Sequence, residues 1–224
     1  MIDKSKIKGL LLDFDMTLGN HEKSAYHTIR SILEEHIRDL DPFSYEMEAI
    51  CQDMLTWNLK GMVKPVRMLE LLEEKYGYHI EIDNFNEYWS YRHLKHVELY
   101  DGVLDALKEL HEKYKICVVT DGNTEKQNYK VRVTGVRPLV DAVVTSEECS
   151  AAKPSAAIYL KALELLDLKA EEVLFVGDRF SSDLLGARRL DIPCLWVWPD
   201  DGREAKAEIE RIYSFKDLPD WLES

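Results

Sequence analysis

The stretch LLLDFDMTLGN, Leu10 to Asn20, ends an apolar run with Asp13 and Asp15 two positions apart and Thr17 two further on. Like charges so close repel, and burial disfavours ionising either, so the pair is costly to keep unless it is used. Three later stretches carry groups of the same kind: TDGN with Thr120, Asp121 and Gly122; SAAKPS with Lys153; and GDRFSSD with Asp178 and Asp183. Taken singly, each has an ordinary explanation. An Asp or Thr after a strand caps the next helix, a lysine sits on the surface, and Gly-Asp makes a turn. Taken in order, they gather three or four carboxylates, a hydroxyl and an ammonium in a way that capping alone does not produce, and they form a candidate active site.

The elements that must position these groups alternate in texture. GLLLDF (Gly9 to Phe14), KICVVT (Lys115 to Thr120), DAVVT (Asp141 to Thr145), EVLFVG (Glu172 to Gly177) and PCLWVW (Pro193 to Trp198) are short apolar runs. Their β-branching and lack of alternation fit strands covered on both faces, as in a parallel sheet. Helical stripes accompany them: Leu104, Leu107, Leu110 and His111; Ile158, Leu160, Ala162, Leu163 and Leu166; and Leu184, Leu185, Ala187 and Leu190. Strand alternating with helix predicts right-handed βαβ units and an α/β, Rossmann-like, doubly wound parallel sheet. Ligands bind such sheets beyond the carboxyl ends of the strands, which is where the polar groups fall.

One connection is anomalous. About a hundred residues separate the first strand from the second, and they read as helical throughout, with a stripe of Tyr26, Ile29, Leu33, Ile37 and Leu40 and further patterns at Tyr45 to Leu59, Pro65 to Tyr76 and Asn84 to His96. An ordinary βα connection takes about 2 to 6 residues, so this is an inserted all-helical domain. The predicted division is 1–19 for the first strand and its loop, 20–97 for the insertion and 98–224 for the rest of the core.

With 29 basic against 42 acidic residues among 224, the formal charge is -13, which repels nucleic acid and anionic membranes. An anionic substrate must find a locally positive site. The four cysteines show no C-x-x-C spacing, the start lacks a signal peptide's apolar core, and no run approaches the roughly 18 apolar residues of a membrane span. A cytoplasmic protein, monomer or homodimer, is expected.

The order D-x-D-x-T, Thr on the second strand, Lys-Pro, then G-D with a later Asp resembles the haloacid dehalogenase superfamily, and the helical insertion resembles that family's C1-type cap. The resemblance implies a phosphatase acting on a small phosphate ester. Asp13 would be the nucleophile, forming an aspartyl-phosphate that water hydrolyses. Mg²⁺ would be held by Asp13, the backbone carbonyl of Asp15 and Asp178, with Thr17 and Asp183 behind them. Lys153 would neutralise the nucleophile and the phosphate oxygens, and Thr120, Asp121 and Gly122 would line the phosphate site. Asp15 would be general acid and then base, which requires the two carboxylates to be split: Asp13 held low by cation and lysine, Asp15 pushed up in a dry place beside another carboxylate.

Asp15 and Asp178 separate this pattern from that of the dehalogenases, which need neither leaving-group acid nor metal. A mutase would need a proton-carrying cap residue, and His21 and His27 read as helix-surface histidines instead. A receiver-type phospho-acceptor would carry its Asp on a middle strand and no cap; a non-catalytic regulator would not need Asp13, Asp15, Lys153 and Asp178 intact. Met16 stands where the family often has glycine and Asp121 where asparagine is frequent. Lys60 and Lys64 read as a solvated helix end, and Trp57, Trp89 and Tyr91 as core or interface of the insertion.

Overall fold

The unalternated apolar run GLLL forms β1 (Gly9–Leu12), buried along its whole length, in the computed structural model of the protein, which describes residues 2–197 and 207–224. Four helices follow it, α1 (His21–His36), α2 (Tyr45–Asn58), α3 (Val66–Tyr76) and α4 (Phe85–Leu94). Then come α5 (Val103–His111), β2 (Lys115–Thr120), α6 (Thr124–Val133), β3 (Ala142–Thr145), α7 (Ala156–Leu166), β4 (Val173–Gly177), α8 (Leu185–Arg188), β5 (Cys194–Val197), β6 (Arg211–Ile212) and α9 (Leu218–Glu223). Trp198, expected to end the fifth strand, lies outside the described residues.

The strands form one parallel sheet in the order β3-β2-β1-β4-β5-β6. Leu12, the last residue of β1, lies level with Val118 on one side and Val176 on the other, so β2 runs two residues and β4 one residue past it. The order reverses at β1, and that reversal opens a crevice beyond its carboxyl end. Leu11, Cys117, Val119, Ile158, Tyr159 and Phe175 are buried in a single cluster between the sheet and α7. The stripe expected on α7 is shifted: Leu160 is 52% exposed, and Tyr159 takes the buried position.

Contacts divide the chain into two units, Met1–Gly19 with Leu99–Ser224, and Asn20–Glu98. The helical unit has its own apolar centre, with Ile29, Leu33, Met47, Met54, Leu72 and Trp89 buried in it. Asn20 caps α1 by accepting from the Lys23 N–H at 3.0 Å, and Ser44 caps α2 through Met47 at the same distance. Trp57 packs partly on that centre. Tyr91 does not: it is 63% exposed, with the Lys95 ammonium 4.8 Å from its ring centroid.

Three elements were not anticipated, α9 among them. β6 is two residues long, too short to leave a pattern, and α6 carries no apolar stripe, burying only Gln127, Lys130 and Val131.

Candidate active site

Asp13 is the first residue past β1, and only 6% of it is exposed. Its Oδ1 accepts from Lys153 Nζ at 2.5 Å and its Oδ2 from the Thr17 hydroxyl at 3.2 Å. Lys153 divides its three donors between Asp13, the Asp183 carboxylate at 2.8 Å and the Val119 carbonyl at 3.1 Å. Its ammonium therefore faces Asp13 directly. Asp121 Oδ1 accepts from the Lys153 backbone N–H at 2.9 Å, so this carboxylate, whose charge looked awkward beside a phosphate, is turned to fix the lysine loop.

Asp183 reaches the cluster through an unusual turn. Phe180–Leu184 winds as a π-helix, which takes up the long spacing from Asp178. Asp183 Oδ2 accepts from the Arg179 N–H at 3.0 Å, and the Tyr159 hydroxyl donates to the carbonyls of Ser182 at 2.6 Å and Asp183 at 3.0 Å. Gly177 makes room for it: a Cβ there would stand 2.6 Å from Asp183 Oδ2 and 2.9 Å from its Cβ.

Burial pushes the Asp13 carboxyl well above the usual range, Asp183 and Asp178 push the same way, and Lys153 opposes them. Burial also disfavours a charged Lys153, yet the carboxylates of Asp13 and Asp183 hold it protonated. The expectation of a low Asp13 thus fails on the lysine alone. One cation does not offset burial and two neighbouring carboxylates.

Asp15 has surroundings that the sequence did not foretell. In place of a dry site beside a carboxylate, its side chain is 35% exposed, and both its oxygens accept from Lys130 Nζ, at 2.9 and 2.7 Å. Lys130 comes from α6, and its side chain is only 9% exposed. Met16, next in the chain, is left-handed at φ 69°, which explains why glycine suits this position.

Thr120 ends β2 and is buried. Two of the amides beyond it already have partners. The Gly122 N–H donates to Ser146 Oγ at 2.8 Å and the Thr124 N–H to Glu147 at 2.8 Å, so the start of α6 is already capped by a carboxylate from the loop after β3. At Gly122 this departs from the expected phosphate site. In the helical unit, His21 Nε2 lies 3.1 Å from Asn58 Oδ1, and His27 faces Glu98 at 3.6 Å. Lys60 is left-handed at φ 57°, in the turn after α2.

One carboxylate oxygen each from Asp13, Asp178 and Asp183 come within 4.8 Å of one another. Three carboxylates against one ammonium, with oxygen donors only, fit a hard divalent cation.

Comparison with known proteins agrees with this geometry. The model of the haloacid dehalogenase-like hydrolases matches residues 10–197. Glyceraldehyde 3-phosphate phosphatase of Pyrococcus furiosus is 27% identical over 240 residues, covering 97% of this chain and 92% of its own. The enzyme of the same name from Methanocaldococcus jannaschii is 30% identical over 192 residues, 82% of each. In structure, the magnesium-bound protein YfnB of Bacillus subtilis, described as a HAD-hydrolase, covers 97% of this chain and 99% of its own at a TM-score of 0.77 and 20% identity, a likeness of fold. A family pattern running from Leu10 to Val197, over strand ends that carry Asp13, Thr120, Lys153 and Asp178, makes this chain a member of the haloacid dehalogenase-like hydrolases.

Proposed function

We propose that this hydrolase cleaves small phosphomonoesters, with Asp13 as the nucleophile and Asp15 as the proton carrier. The observation that carries the reading is the buried Asp13, held by Lys153 inside a cluster of three carboxylates, with a second, partly exposed carboxylate two residues on. A dehalogenase needs neither Asp15 nor the cluster. That the relatives above are phosphatases supports the same choice.

Asp13 attacks phosphorus as the ester bond breaks, giving an aspartyl-phosphate, and water then attacks phosphorus to release it. Asp15 gives its proton to the leaving oxygen and takes one back from that water. Lys153 balances charge at the nucleophile, Asp183 holds Lys153, and Thr17 fixes the Asp13 carboxylate. Thr120 is the hydroxyl that meets the phosphate. Mg²⁺, held by Asp13, Asp178 and the Asp15 carbonyl, would supply positive charge to the phosphoryl oxygens.

On this reading Asn20–Glu98 serves as a cap that excludes water and selects the ester. The relatives make a three-carbon sugar phosphate the first substrate to try. Among the described residues no helix is long and apolar enough to cross a membrane. All four cysteines are free, which supports a reducing, cytoplasmic setting.

The test is phosphate release from an aryl phosphate and a panel of metabolite phosphates, with Mg²⁺ or chelator. Wild type turns over only with the metal, and Asp13→Asn loses on the order of 10⁴-fold or more in kcat. Release that survives Asp13→Asn removes Asp13 as nucleophile. A folded wild type that releases phosphate from nothing ends the reading.

A further inference from the structure

The proton carrier has a partner of its own. Lys130 Nζ lies 2.9 and 2.7 Å from the two oxygens of Asp15, and it is fed to them from a helix without an apolar stripe, whose buried residues are Gln127, Lys130 and Val131. One turn earlier on the same face, Gln127 Nε2 donates to the Asp121 carbonyl at 2.9 Å and so ties α6 to the end of β2. The lysine stem runs beside Phe14, with Nζ 5.9 Å from the ring centroid. A lysine this buried is aimed, and its target is one of the reacting groups.

The contact takes both oxygens of the carboxylate. It fixes the plane of the Asp15 side chain as well as its position, with both oxygens arranged as acceptors. Resting on the phosphatase reading above, we infer that Lys130 is a positioning residue for the hydrolytic half of the reaction, holding ionised Asp15 where it accepts the proton of the attacking water. Atoms balance as follows. In the first half Asp13 bonds phosphorus, the ester P–O bond breaks, and the proton of Asp15 goes to the leaving oxygen. In the second, the water oxygen bonds phosphorus, the Asp13–phosphorus link breaks, and the water's proton goes to one oxygen of Asp15 while Lys130 keeps the other.

The first half uses protonated Asp15, the second the form that Lys130 holds. Removing the lysine therefore slows hydrolysis of the phospho-enzyme more than its formation. The experiment is steady-state and rapid-mixing kinetics of Lys130→Met and Lys130→Arg on an aryl phosphate with Mg²⁺. For Lys130→Met, kcat falls about 10²-fold and KM falls with it, leaving kcat/KM within about 3-fold of wild type. Rapid mixing shows one equivalent of aryl alcohol per enzyme before the slow phase, and phosphate stays on the protein in an acid quench. Lys130→Arg recovers most of kcat. If Lys130→Met does not fold, Lys130→Gln is read the same way.

A kcat/KM that falls as far as kcat with no burst, or rates unchanged in both variants, overturns the proposal. These outcomes are separable from failure of the underlying reading, which shows itself as a wild type that releases no phosphate or an Asp13→Asn that still does.

Discussion

Asp13 and Asp15 leave the same strand two residues apart, and each meets a lysine, yet the two pairs are built differently. Asp13 and Lys153 have side chains 9% and 3% exposed, and the lysine spends its other donors on Asp183 and a carbonyl. Asp15 is 35% exposed, and its lysine grips both oxygens from outside the sheet. The first pair is locked into the core by partners on three strand ends. The second has water on one side. A nucleophile must hold one position through the reaction, whereas a proton carrier must exchange with solvent between turns, and the difference in burial fits the duties proposed for the two.

Stability offers the most forceful way to break that comparison. Lys153→Met strands two buried carboxylates, and removing one partner of a buried pair costs about 3–5 kcal/mol. Lys130→Met leaves Asp15 free to rehydrate, and a pair with one exposed partner is worth about 0–1 kcal/mol. Denaturant melts of the two variants at neutral pH read the contrast directly. Equal losses would mean that Asp15 depends on its lysine no less than Asp13 does, and the division of duties would fall.

The two pairs were also unequally legible in the sequence. Asp13, Asp15, Thr120 and Asp178 end or closely follow an apolar run, which placed them at the ends of strands, whereas Lys153, eight residues past DAVVT, stood out only through SAAKPS in the ordered set of motifs. Lys130 sits in TEKQNYKVRV, where several cations and no apolar stripe gave nothing to single it out; the only signals were Asn123 as a cap, accepting from Lys126 at 3.1 Å, and Gly135 beyond the end. Gly122 was expected to line the phosphate site because its partner, Ser146, comes from the loop after β3, more than twenty residues away. The π-turn at Phe180–Leu184 was visible only as a long spacing between Asp178 and Asp183. Strand ends are local facts of the chain; what a side chain meets across them is not.

Metal addition sharpens the comparison at the Asp13 end. Metal ligation requires ionised carboxylates, and without a cation Asp13 is held well above its ordinary value of 3.8 by burial and by Asp183 and Asp178. The folded pKa is above the unfolded one, so this group's contribution to stability is full below the unfolded value and is lost as pH rises through the folded value. Mg²⁺ restores what is lost. Melting followed with Mg²⁺ or chelator between about pH 5 and 8 should give curves that diverge upward in pH, reaching about 2.7 kcal/mol at a hundred times the dissociation constant. Asp13→Asn should close the gap. Parallel curves would place the cation away from Asp13.

The smallest effect lies at the Asp15 end. Met16 is left-handed at φ 69°, and its N–H donates to the Gly19 carbonyl at 2.8 Å, closing the turn that carries Asp15 away from Asp13. The residue is 6% exposed, with the Tyr100 hydroxyl 3.7 Å from its sulfur. Losing the side chain costs about 2–5 kcal/mol, more than the roughly 1 kcal/mol of backbone strain, so Met16→Gly and Met16→Ala both destabilise. The informative quantity is the difference between them. In ordinary backbone alanine is the more stable by about 0.5–1 kcal/mol. Here the positive φ penalises any Cβ, so Met16→Gly should be the more stable of the two by about 1 kcal/mol in denaturant melts. Alanine ahead of glycine would show a turn free to relax to negative φ, and the separate orientation of Asp15 would then have to come from Lys130 alone.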